Sequence, residues 1–153
     1  MTIEELFDYS ERSGFLYMPP ETAQGLEGVS VQLPSGLCAW TVDERNLTRP
    51  ERKRRIGHEI GHCATGSFYT RLSAPTTREK CEETARRWQY RNQVKLEDLY
   101  AALRYGCREA WEIAEYLDLP EPMIRKAVEY YCAVLGDHFK VSCASRYKRK
   151  TLS

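Results

Sequence analysis

Residues 58–62 read His-Glu-Ile-Gly-His, and they fall inside a segment marked at both ends as a helix. Thr48 is followed three residues later by Glu51, the spacing of a capping box, and Pro50 sits in the first turn. The helix is expected to run to about Ala64 and to end before Gly66. Helix positions four apart share one face, one turn above the other. That places His58 and His62 together. Ile56, Ile60 and Cys63 form an i, i+4, i+7 stripe that can be buried against a neighbouring layer. A fold for this chain has to cover the stripe and leave the histidine face approachable.

Two imidazoles one turn apart can offer nitrogen ligands to a single ion, and zinc accepts such ligands at about 2.0–2.1 Å. Glu59 precedes His62 by three residues and projects near the same face without needing to bind the ion. A coordinated water has its pKa lowered from about 15.7 toward about 7, so a carboxylate beside it can take its proton. A catalytic zinc normally has three protein ligands and one open position. Glu82, on the next expected helix, is the strongest third candidate, with Glu79 and Glu83 as competitors and His138 a weaker one. An oxyanion donor is also needed; Tyr69, in the loop after the metal helix, and Tyr90 are candidates. Gly57 and Gly61 each cost about 1 kcal/mol relative to Ala in a helix interior. They are either room for close approach of a neighbouring chain or substrate, or tolerated packing glycines.

Around this helix the patterning is mixed. Ile3, Leu6 and Phe7 predict an amphipathic helix over 3–13. A loop follows, with a short strand possible at Phe15–Met18, and then Val29–Leu33 and Leu37–Val42 flank the turn Pro34-Ser35-Gly36 as a hairpin. Thr76 and Glu79 repeat the capping-box spacing and open a helix to about Asn92. Leu96–Tyr105, Cys107–Leu117 and Glu121–Leu135 read as three more. The expected class is α+β, a small antiparallel sheet followed by helices.

The 153 residues suit one domain's worth of core, and the charge is nearly balanced, 23 Lys+Arg against 22 Asp+Glu. Nothing in that balance asks for nucleic acid or an anionic membrane. Residues 1–48 hold eight acidic residues and two basic ones, whereas 136–153 form a basic tail. The N-terminus lacks an apolar signal core and no run is long enough to span a bilayer, so a cytoplasmic location is expected. Six cysteines with no C-x-x-C pair are then expected as free thiols.

The stretch from His58 to Tyr69 resembles the metal helix and following loop of ImmA/IrrE-type metallopeptidases, encoded by bacteria, prophages and integrative elements. Glu82, Ala85 and Trp88 match that family's second motif, although Gln89 stands where it usually has alanine and Lys95 where it often has proline. The resemblance implies a zincin-like peptidase domain over 1–95 with one zinc held by His58, His62 and Glu82, and Glu59 as catalytic base. It further implies a substrate, a helix-turn-helix repressor of the same mobile element. Residues 96–135 would be a helical extension, in which 111–117 and 123–128 resemble a helix-turn-helix pair. Arg125 and Lys126 are thin for phosphate contact, so direct DNA binding is not expected. The alternative is a non-enzymatic regulator with a metal-stabilised fold that binds DNA or a repressor through its helical C-terminal part.

Overall fold

The computed structural model describes residues 1–136; His138, Cys143 and the basic residues of the tail lie outside the described residues. The chain divides into two compact units, Met1–Gln93 and the part from Val94 onward.

The first unit opens with α1 (Ile3–Arg12), whose capping box pairs Thr2 with Glu5. Three strands follow, β1 (Leu16–Tyr17), β2 (Gly28–Gln32) and β3 (Cys38–Val42), then α2 (Arg49–Thr65) and α3 (Pro75–Gln93). The sheet order is β1-β3-β2. The expected hairpin is present: β2 and β3 pair antiparallel, with Ser30 opposite Trp40. The sheet as a whole is mixed, not antiparallel, because β1 pairs parallel with β3. The long connection through the 3-10 turn Pro20–Ala23 carries the chain from the end of β1 to an antiparallel β2 on the far side of β3. The central strand β3 is buried along its whole length.

The apolar stripe on α2 does what its spacing requires. Ile56, Ile60 and Cys63 pack with Cys38, Trp40 and Val42 of β3 and with Ile3 and Leu6 of α1. Trp40 anchors this core and satisfies its indole N–H by donating to Ser10 Oγ at 2.7 Å. Cys38 and Cys63 are joined as a disulfide with Cα atoms 5.6 Å apart, so the expectation of six free thiols is corrected for these two. They are 25 residues apart in sequence, and only the packing of β3 across α2 brings them within bridging distance. Cys81, Cys107 and Cys132 are free.

The helix signals are realised unevenly. Thr48 caps α2 through Glu51 N, and Gly66 closes it in the left-handed region at φ 63°. The Glu51 side chain pairs with Arg54. α3 begins at Pro75, one residue earlier than the Thr76 signal, so Thr76 lies inside the first turn.

The second unit contains α4 (Leu96–Tyr105), α5 (Ala110–Leu117) and α6 (Glu121–Leu135). α5 starts later than expected, after a reciprocal cap between Glu109 and Glu112. It ends at Asp118, held at φ 53°. Leu99, Ile113, Ile124 and Ala127 are buried, and Tyr131 Oη donates to the Val94 carbonyl at 3.0 Å. Among the described residues no helix is long and apolar enough to cross a membrane.

The disulfide gives a direct check. Alkylation of the chain unfolded without reductant is expected to label Cys81, Cys107 and Cys132 and to spare Cys38 and Cys63. Reduction is expected to expose both and to lower unfolding stability by about 3.5 kcal/mol, the chain-entropy value for a loop of this length. Full labelling before reduction would contradict the bridge.

Candidate metal centre

His58 and His62 project from α2 one turn apart, with their Nε2 atoms 3.3 Å from each other. Glu82, on α3, closes the triangle: its Oε2 lies 3.1 Å from His58 Nε2 and its Oε1 3.3 Å from His62 Nε2. Among the described residues these three form the one group of His, Cys, Asp or Glu side chains arranged to hold an ion. The competing acids lie elsewhere. Glu83 pairs with Arg86 and Arg87, and Glu79 is exposed outside the cluster.

The donor set fits a divalent cation. The left-handed turn at Gly66 reverses the chain so that Ser67 faces back onto α2. His62 Nδ1 donates to the Ser67 carbonyl at 2.7 Å, which leaves the Nε2 lone pair directed at the cluster. Ser67 Oγ lies 3.2 Å from the same nitrogen and 2.7 Å from Thr65 Oγ1. Tyr69 Oη donates to Glu82 Oε1 at 2.6 Å. Hydrogen bonds from His58 and then His62 hold the Glu82 carboxyl far below the usual carboxylate range. Burial alone would lower the His62 pKa, but its bonds to Glu82 and to Ser67 outweigh that and raise it. Burial, with help from the bond to Glu82, pushes the Tyr69 phenol up to about 12.

Glu59 occupies a different niche. It is buried, 8% exposed, and faces β2. Ser30 hydrogen-bonds its carboxylate, and the hydrogen face of Gly28 lies directly against it. Gly28 and Ser30 are two apart on one strand and so face the same side. Burial raises the Glu59 pKa, with the nearby His58 and His62 opposing. This is the setting of a carboxylate tuned for proton transfer.

A cavity of about 430 Å³ opens onto this centre and is lined by Glu59, His62 and Glu82 together with β2 and the loop after α2. The structure thus brings His58, Glu59, His62, Glu82 and Tyr69 together. Tyr90 is buried in α3 and does not line the cavity. Ser67, Ser30 and Gly28 were not singled out from the sequence, since strand register and a loop carbonyl leave no spacing signal.

The two helix glycines have separate structural reasons. A Cβ on Gly61 would lie 2.9 Å from the Ala85 carbonyl oxygen, so Gly61 lets α3 cross α2 closely enough for Glu82 to reach the histidines. A Cβ on Gly57 would collide with the Gln93 amide. Gln93 donates to the Lys53 carbonyl at 2.8 Å, and Gln89 donates to the Arg54 carbonyl at 2.6 Å and to Gln93 Oε1 at 2.7 Å. Gln89 therefore ties α3 to α2 and does not line the cleft.

No family model matches this chain, and neither a curated protein nor a solved structure does.

Two measurements test the centre. Gly61→Ala is expected to weaken zinc binding about tenfold or more in a competition titration, as loss of supporting contacts does, with helical content retained. Unchanged affinity would show that the close crossing does not set the site. Ion binding must also displace the proton from His62, whose pKa lies above its ordinary 6.5. Affinity is therefore expected to fall as pH drops through that raised value, while Glu82, with its depressed pKa, stays ionised. In the metal-free chain the linkage has two edges. The Glu82 share of stability is present above its ordinary 4.5 and lost in acid. The His62 share is full below 6.5 and lost as pH rises through its raised value.

Proposed function

We propose that this chain is a metal-dependent peptidase, with zinc the first candidate ion. The observation that carries the reading is the convergence of His58 Nε2, His62 Nε2 and the Glu82 carboxylate, with the buried acid Glu59 lining the same cavity as His62 and Glu82. When bound, a divalent ion acidifies a water and polarises a peptide carbonyl. The chain's own groups do the rest. His58, His62 and Glu82 hold the ion in fixed orientation, through the Ser67 and Tyr69 contacts described above. Glu59, whose pKa burial raises above the ordinary carboxylate value and so makes it a stronger base, serves as general base and then general acid toward the leaving amine. Tyr69 orients Glu82; its hydroxyl reaches a developing oxyanion only by giving up that bond, so oxyanion stabilisation is a secondary role for it.

A peptide substrate suits the cleft. β2 is an outer strand of the sheet, and Val29 and Val31 line the cavity together with Gly28 and Ser30. An extended segment can add to such an edge through main-chain hydrogen bonds. Resemblance to ImmA/IrrE-type peptidases supports the zincin-like reading of the first unit and nominates a helix-turn-helix repressor as the natural substrate. The α5–α6 pair, read as helix-turn-helix-like, is better suited to packing or to docking that partner than to DNA. Arg125 donates within its own helix to Glu121 Oε1 at 2.9 Å, which takes a cation out of phosphate contact.

The test is Glu59→Gln in the zinc-loaded chain. Cleavage of a repressor or an unstructured protein is expected to fall about 10²–10⁴-fold, the usual worth of a general base, with zinc content unchanged. Full activity in that variant would show that Glu59 is not the base, activity that survives chelation would end the metal-dependent mechanism, and no cleavage by the unsubstituted zinc-loaded chain would end the peptidase reading.

A further inference from the structure

The cavity at the metal centre also carries two cations that the mechanism does not use. Arg71 and Arg78 both line it, beside Tyr69 and Glu82. Six other arginines of the first unit, Arg45, Arg52, Arg54, Arg55, Arg86 and Arg87, each lie within ion-pair distance of a carboxylate. Neither Arg71 nor Arg78 has an ion pair with any described residue. They are nonetheless held by structure. Arg71 sits in the turn Thr70–Ser73, which is closed by Ser73 N donating to the Thr70 carbonyl at 3.0 Å. The Ser73 hydroxyl accepts from Thr70 N at 2.9 Å, and Leu72 N donates to Thr70 Oγ1 at 3.2 Å. Arg78, on the first turns of α3, donates from Nε to the Ser73 carbonyl at 3.1 Å, which ties the helix arginine to the turn that carries Arg71. The charge of Arg78 is felt at the Tyr69 phenol, so Arg78 stands close to the proposed reaction centre. The lining also includes the apolar residues Leu26, Val29 and Val31.

We infer that Arg71 and Arg78 form a carboxylate-binding subsite that selects peptides bearing an acidic side chain near the bond held at the metal centre. Two guanidinium groups in one cavity are matched by one Asp or Glu, and Arg presents paired N–H donors suited to a carboxylate. β2 and its apolar residues take the backbone and apolar side chains, and the two arginines take the acid. The substrate preference rests on the peptidase reading, but the binding subsite does not.

The experiment separates the two. A library of C-terminally amidated peptides is passed over zinc-loaded, immobilised Glu59→Gln chain, which binds without cutting, and the retained peptides are sequenced by mass spectrometry. Asp and Glu are expected to be enriched about twofold to fivefold, the range for exposed ion pairs, and less so as salt is raised. With Arg71→Gln and Arg78→Gln added the enrichment is expected to vanish, with zinc content unchanged as proof of folding. Enrichment absent from the first chain, or undiminished in the second, overturns the subsite. A parallel digest of the same library with the unsubstituted zinc-loaded chain reads cleavage. Acidic enrichment in binding with no cleavage there would leave the subsite standing and count against the peptidase reading alone. Cuts that ignore Asp and Glu would overturn the substrate selection and keep the peptidase.

Discussion

The Ala85 carbonyl lies against Gly61, and that contact governs the distance between α2 and α3. A carboxylate on one helix reaches imidazoles on another only if the backbones approach to within about the lower end of ordinary helix packing, and side chains larger than hydrogen or methyl prevent it. Gly61 and Ala85 supply that pairing at the level of the histidines. Further toward the start of α2 the same approach is made at Gly57, where the space is filled by the Gln93 amide. The two glutamines then fasten the helices by donating to carbonyls of Lys53 and Arg54. Buried polar groups of this kind are worthwhile only when satisfied, and here each amide finds a carbonyl partner.

The opposite side of α2 supplies the rigidity. Ile56, Ile60 and Cys63 are sealed against β3 and α1, with Trp40 at the centre. The disulfide between Cys38 and Cys63 fixes the strand to the residue next to His62. One helix thus has an apolar face that stores the stabilising free energy and a polar face that holds three ionisable groups in unfavourable proximity. Clustered His58, Glu59, His62 and Glu82 are costly to desolvate, and the hydrophobic burial behind them is what offsets that cost.

The acids at the centre are separated by environment. Glu82 is surrounded by donors and is held as a carboxylate; Glu59 is pressed between α2 and β2 and is driven toward its protonated form. The proposed ligand and the proposed proton carrier need opposite tendencies, and the fold provides them with the same functional group. Gly28 matters for this reason. Any larger residue there would push the Glu59 carboxylate out of the niche that tunes it.

Local sequence was sufficient for the elements and for half the site. Thr48 and Gly66 bounded α2 because caps and left-handed turns are determined by neighbouring residues. The four-residue spacing of His58 and His62 guaranteed a shared face once the helix existed, and turn residues around Gly36 marked the hairpin. What spacing could not convey was anything that depends on which surfaces meet. The parallel placement of β1, the bridge between Cys38 and Cys63, the support of His62 by Ser67 and the niche made by Gly28 and Ser30 all join residues from different elements. Glu82 stood between: favoured among three acids by its motif, and distinguished from Glu79 and Glu83 only by the face that α3 turns toward α2. A helix encodes its own periodicity in its residues. The distance and angle at which a second helix crosses it are decided by packing, and so the third candidate ligand belongs to the tertiary structure.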